Sequence, residues 1–161
     1  MQFTPEFEVM EQPSAKVHRK KTMFIHNPVS PVFIADAIAK HAANTAIGAH
    51  QIFLGQIRAD KIDEQIVEAI EFSAYEDMAD EAYADFRETL FKNYELTCMH
   101  VYHSLGRVNT GGINLFVFVS SVHRKAATAA CAELVEWIKC KAPIWGKEIL
   151  TGDQVQWKVN N

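Results

Sequence analysis

Cysteine is scarce in this chain, and positive charge is in the minority. Only Cys98, Cys131 and Cys140 occur in 161 residues. The count is odd and no C-x-x-C pair or Cys/His ligand cluster appears in the sequence. Neither a disulfide framework nor a structural zinc site is therefore expected, and the chain suits a reducing compartment. Sixteen Lys+Arg stand against twenty Asp+Glu, a formal net charge of −4 with a pI near 6.0. Coating nucleic acid or an anionic bilayer needs the opposite field, so neither is expected as a partner, although a local basic pocket stays open. Long apolar runs are missing too. INLFVFVSSV, residues 113–122, is far too short to span a bilayer. The first twenty residues have no apolar h-region of the kind a secretory signal needs, and the expected location is cytoplasmic.

What is present is ordinary globular chemistry. Hydrophobic residues make up 48% and charged residues 22%, which excludes a disordered, collagenous or low-complexity chain. The length suits one domain with one core. Residues 1–20 are polar and mixed in charge, with Pro5 and Pro13, and read as an arm; residues 21–161 read as the domain. A short strand is expected at Thr22–His26. Ser30 and Pro31 then read as the N-cap and first position of a helix whose apolar residues Phe33, Ile34, Ala37 and Ile38 recur at helical spacing.

Residues 47–57 read as a strand ending against the polar segment RADKIDEQ. In the next strand Ile66, Ile70 and Phe72 are expected on one face, with Glu68 interrupting the pattern. Glu76–Tyr94 reads as a helix with Ala79, Ala82, Tyr83, Phe86 and Leu90 as its buried stripe. Thr97–His103 reads as a strand, GRVNTGG as a turn, and Ile113–Ser121 as a strand apolar on both faces and hence central in its sheet. A third helix is expected from His123 to Lys141, with Ala127, Ala130, Cys131, Leu134 and Ile138 inward. Pro143 prevents its simple continuation. A terminal β-hairpin turns around Gly152 and Asp153. Hairpin-linked strands with helices packed on one side of an antiparallel-rich sheet describe an α+β fold.

The familiar catalytic signatures are absent: no G-x-S-x-G, no Walker loop, no G-x-G-x-x-G and no H-E-x-x-H. The candidates are cations. Arg58 follows an apolar strand and, on its own, reads as the start of a solvated loop before it reads as a site. His123, Arg124 and Lys125 open the third helix, where the dipole opposes cations but free N–H groups suit an anion. An ordinary helix start and an anion site fit that triplet equally. Lys139, Lys141 and Lys147 cluster near the other end, where the dipole alone accounts for the first two. His41, His50, His100 and His103 show no metal-ligand spacing and read as structural. Cys131 and Cys140 read as small packing residues, not nucleophiles. The residues thus describe an α+β domain with a candidate site for an anionic small molecule.

Four strings in this order and spacing add a resemblance: GQIR at 55–58, IEFSAYEDMADEA at 70–82, S-x-HR at 121–124 and WIKCKAPIWGKE at 137–148. Together they resemble the large, catalytic subunit of molybdopterin synthase, the MoaE-type family, from about Met23 onward. The resemblance implies a hammerhead-like α/β arrangement and a sulfurtransferase of molybdenum cofactor biosynthesis. In that family, cyclic pyranopterin monophosphate receives a dithiolene. The sulfur arrives as a thiocarboxylate on the C-terminal Gly-Gly tail of a small ubiquitin-like subunit, and two large subunits form the centre of a heterotetramer. By resemblance, Arg58, His123 and Arg124 bind the substrate anion, with Lys139 at the reaction centre; no cofactor and no metal is implied. One departure stands out. Where the family often has a lysine directly after the tryptophan of A-P-x-W, this chain has Gly146, and Lys147 is the expected replacement.

The competing readings are a non-catalytic α+β module binding a phosphorylated metabolite and a scaffold docking an acidic partner. Helix geometry adds one further expectation. Arg124 and Lys139 are fifteen positions apart on one helix, roughly 22 Å at 1.5 Å per residue. One small pocket is then expected to draw His123 and Arg124 from one subunit, with Lys139 and Arg58 from its mate.

Overall fold

The computed structural model describes residues 21–159. The polar arm expected over residues 1–20 lies outside the described residues. The chain opens with β1 (Phe24–Ile25) and α1 (Pro31–His41). The expected cap is in place, since Ser30 accepts a hydrogen bond from the Phe33 N–H at 3.1 Å. Next come β2 (Ala49–Gln56), β3 (Lys61–Ile62) and β4 (Gln65–Ala74). The segment RADKIDEQ therefore holds a small strand, turned back on β4 at Asp63 with φ 53°.

Glu68 is an insertion in the pairing of β4, and it resets the alternation. The register against the later strand shifts between Val67 and Ala69, so Val67 joins Ile70 and Phe72 in the core while Ile66 turns outward, 46% exposed. An extra residue on one strand moves everything before it to the other face. The expected grouping of Ile66 with Ile70 and Phe72 fails for that reason.

The helix α2 (Glu76–Asn93) follows, then β5 (Leu96–Ser104), β6 (Gly106–Asn109) and β7 (Ile113–Ser121). Most of GRVNTGG, expected as a turn, is the strand β6. It is short, opens on a glycine at φ 77° and buries only Val108, so its pattern is too weak to read. The chain then forms α3 (Arg124–Cys140), β8 (Ile144–Leu150) and β9 (Val155–Trp157). The terminal hairpin turns where expected, with Gly152 at φ 79° and Asp153 at φ 58°.

Among the described residues two sheets share the main core. A four-stranded sheet runs β1-β5-β7-β2; a five-stranded one runs β3-β4-β8-β9, with β6 also on β4. Among the described residues only β1 against β5 is parallel. As its doubly apolar sequence requires, β7 lies between β5 and β2, buried from Asn114 to Ser121. Its odd residues Leu115, Val117 and Val119 pack with Ala127, Ala130, Leu134 and Ile138 of α3 in the main core. Its even residues Phe116 and Phe118 pack with Ile34 of α1. The helices thus divide between the two faces of this sheet, where one side was expected. The antiparallel-rich α+β class holds, and β3–β4 and β8–β9 are hairpins, but the other strands adjacent in sequence are not partners: β2 pairs with β7, and β4 pairs with β6 and β8. Among the described residues no helix is long and apolar enough to cross a membrane.

Candidate active site

A cavity of about 730 Å³ opens between the end of β2, the C-terminal end of α3 and the facing surface of β4 and β8. Each charged side chain reaches it for a local reason. Ile57 is buried and tied to the Gly111–Gly112 turn by backbone hydrogen bonds of 3.0 and 2.8 Å. That anchor delivers the next residue, Arg58, to the rim, where its guanidinium donates to Asp60 at 3.0 Å. This pair is exposed and contributes little to stability.

Lys139 follows buried Ile138 on the last turn of α3, and the chain leaves the helix through Pro143 into β8. Burial, and then the charge of Lys158, lower its pKa from the ordinary lysine value. The position at the helix C-terminus, by contrast, favours the charged form. Lys158 enters from beyond β9 and donates to Glu148 at 3.3 Å. Gln156 donates to the other oxygen of that buried carboxylate at 2.7 Å.

His103, which reads as structural from sequence, lines the same cavity. Its Nδ1–H donates to the Ser104 carbonyl at 2.8 Å, so Nε2 carries the lone pair. The ring packs edge-on against Phe72 at 5.0 Å. Burial pulls its pKa down to about 4, opposed by the Ser104 bond and reinforced by the charge of Lys139. The imidazole is therefore neutral at physiological pH.

The cavity holds Arg58, Lys139 and Lys158 against Asp60 and Glu148, with apolar walls that include Phe53, Ile70 and Phe72. Both carboxylates are already engaged by cations. A net positive, half-desolvated pocket beside flat apolar surface suits an anion with a ring system.

The remaining candidates lie elsewhere. Strand alternation turns Gly146 and Glu148 toward the cavity and Lys147 to the opposite face, where its ammonium pairs with Glu71 at 2.8 Å. A Cβ at Gly146 would lie 2.9 Å from Ile70 Cγ2 and 3.3 Å from Phe72 Cε1, so a glycine there has a packing reason. His123 and Arg124 stand exposed at the start of α3, outside the cavity lining. His123 caps the helix in extended conformation without a side-chain bond, and its carbonyl accepts from the Ser121 hydroxyl. The helix runs unbroken between these cations and Lys139. One chain therefore unites Arg58 with Lys139 and leaves His123 and Arg124 apart. Sequence reasoning missed His103 and Lys158; neither lies in a string with a recognisable pattern.

Comparison with known proteins agrees with this architecture. Residues 28–141 match the family described as MoaE protein. The molybdopterin synthase catalytic subunit of Aspergillus niger is 31% identical over 135 residues, covering 84% of this chain and 72% of that protein. The subunit of the same name from Thermoplasma volcanium is 34% identical, covering 68% and 80%. The crystal structure of molybdopterin synthase from Staphylococcus aureus superposes with a TM-score of 0.76 at 27% identity, over 88% of this chain and 99% of that one. A complex of subunits 1 and 2 of molybdopterin-converting factor from Helicobacter pylori shares the fold, with a TM-score of 0.71 at 21% identity over 83% and 87%. With a family match across most of the described residues and relatives above 30% identity aligned over most of their own length, this chain belongs to the MoaE family.

Proposed function

We propose that this chain is the catalytic subunit of a molybdopterin synthase, working in the cytoplasm. It transfers sulfur from a thiocarboxylated small subunit to cyclic pyranopterin monophosphate. The observation that carries the reading is the cavity that joins Arg58 and Lys139, in a chain whose relatives bear that name. "Catalytic subunit" itself implies a second, non-catalytic one, and the expected donor is a small ubiquitin-like protein ending in Gly-Gly.

The chemistry brings two anions together, the substrate phosphate and the attacking thiocarboxylate. Cations held in a partly dry site offset that repulsion and stabilise oxyanions as they develop. Lys139, with its pKa lowered by burial, is suited to passing a proton at the reacting carbon. Arg58 at the rim offers a planar fork to a phosphate. Lys158 supplies the second cavity ammonium at a site where Gly146 provides none, and holding Glu148 fixes its position. His103, held neutral by burial and by the charge of Lys139, adds no further positive charge beside that lysine.

His123 and Arg124 complete the anion site from a second copy of the chain, because a continuous helix holds them roughly 22 Å from Lys139. Two large subunits then form the core of a heterotetramer. The direct test is dithiolene formation from the pyranopterin with a thiocarboxylated small subunit. Product from the wild-type protein supports the reading. Tight pyranopterin binding with no sulfur transfer would favour the non-catalytic metabolite-binding module instead.

A further inference from the structure

The face of the four-stranded sheet that packs on α1 carries a cluster remote from the cavity. Cross-strand pairing sets Cys98 and His50 on either side of Ser120, and His100 beside Phe118 in the next row. A register shift between Leu96 and Cys98 turns Leu96 to the main core while Cys98 and His100 keep to the α1 face. The last residue of α1, His41, closes over them, its ring 5.0 Å from that of His100 and 4.6 Å from Phe118.

The tautomer of His41 is determined. Its Nδ1–H donates to the Ala37 carbonyl at 2.6 Å, so in the neutral ring Nε2 carries the lone pair, 3.1 Å from Nε2 of His100. The other ring nitrogen of His100 is buried with no hydrogen-bond partner among the described residues. Ligand atoms of His41, Cys98 and His100 all lie within 4.8 Å of one another. Two imidazole nitrogens bound to one Zn²⁺ at about 2.0–2.1 Å with tetrahedral angles stand roughly 3.3 Å apart. The spacing between the two rings is close to that value.

We propose that His41, Cys98 and His100 bind a borderline-soft divalent metal ion of the Zn²⁺ class. Two neutral imidazoles and a thiolate are a ligand set such ions prefer, and the fourth position goes to water or to His50, whose ring lies 6.1 Å from His41. On binding, the Cys98 thiol loses its proton to solvent and the sulfur takes up the metal, with no change of oxidation state. The ion ties the end of α1 to β5 and takes no part in sulfur transfer.

The test uses the full-length reduced protein, stripped of metal by chelator and titrated with Co²⁺, then Zn²⁺. Saturation at one Co²⁺ per chain is expected, with tetrahedral visible bands and a near-ultraviolet thiolate-to-cobalt band that Zn²⁺ abolishes. Cys98→Ser should lose the thiolate band, while Cys140→Ser should retain it. His41→Gln, at a half-exposed helix end and checked for folding by circular dichroism, should weaken Zn²⁺ at least as much as the roughly 10–100-fold typical of losing an outer-shell partner. Zn²⁺ should raise the melting temperature of wild type but not of Cys98→Ser. Absence of stoichiometric Co²⁺ binding overturns the proposal, as does a thiolate band that survives Cys98→Ser or disappears with Cys140→Ser. The pair is then an ordinary imidazole–imidazole hydrogen bond.

Discussion

The two ends of α3 carry like charge in opposite circumstances. At the N-terminus His123, Arg124 and Lys125 are exposed, where the helix dipole disfavours a cation and attracts an anion. At the C-terminus Lys139 is half-buried, where the dipole favours its charge while burial and Lys158 oppose it. In the proposed two-chain site, the exposed group meets a ligand carried on another surface. The half-buried one already shares a cavity with Arg58 and His103. Charge alone does not distinguish the two ends; desolvation and neighbours do.

The largest effect should come from the buried end. Lys139→Ala is expected to lower sulfur transfer by about 10²–10⁴-fold, the range for loss of a proton-transfer group. Its melting temperature should stay near wild type, because a lysine with a depressed pKa does not stabilise the folded state by its charge. A single-turnover assay beside thermal melting separates these readouts, and wild-type turnover would remove Lys139 from the mechanism.

Subunit mixing asks whether the two ends cooperate across chains. Arg124→Ala and Lys139→Ala proteins, each inactive alone, should regain roughly a quarter of wild-type turnover after random exchange in a two-fold dimer. Only mixed dimers then carry an intact pocket. Verified exchange without recovery would assign all the cations to one chain.

Acid should expose the environment of the buried end. The folded pKa of His103, about 4, lies below the ordinary 6.5. Between those values the unfolded chain holds a proton that the folded chain lacks, so stability rises with pH through this window and its full value is present above it. Acidification across the window costs about 3 kcal/mol from this one group. Denaturant melts at pH 4.5 and 7 should show a smaller difference for His103→Asn than for wild type, since other groups retain their share. An unchanged difference would mean His103 is not desolvated.

Smaller effects are expected on β8. Gly146→Ala forces a Cβ against Ile70 and Phe72 and should cost about 1–3 kcal/mol, the usual range for overpacking. Lys147→Ala removes a half-exposed ion pair with Glu71 and should change stability by less than about 1 kcal/mol, with turnover near wild type. A turnover loss comparable with that of Lys139→Ala would instead assign Lys147 the role its position in sequence suggested.

Features determined over a few residues were legible without coordinates. Ser30 and Pro31 start α1, the Ala127–Ile138 stripe defines the inner face of α3, and Gly152–Asp153 turns the last hairpin. Each depends on local sterics or helical period, which a string of residues states directly. β7 was recognisable as central because only a doubly covered strand is apolar on both faces. The family strings likewise pointed to Arg58 and Lys139. Other features were decided by the tertiary structure alone. An inserted residue at Glu68 reversed the face of Ile66 and Val67, and strand alternation sent Lys147 away from the cavity while Gly146 turned toward it. His103 and Lys158 became cavity residues through elements distant in sequence, and His41 met Cys98 and His100 only because α1 folds across β5. Strand register and the packing of one element over another bring such residues together across long stretches of chain, and no local pattern encodes those meetings.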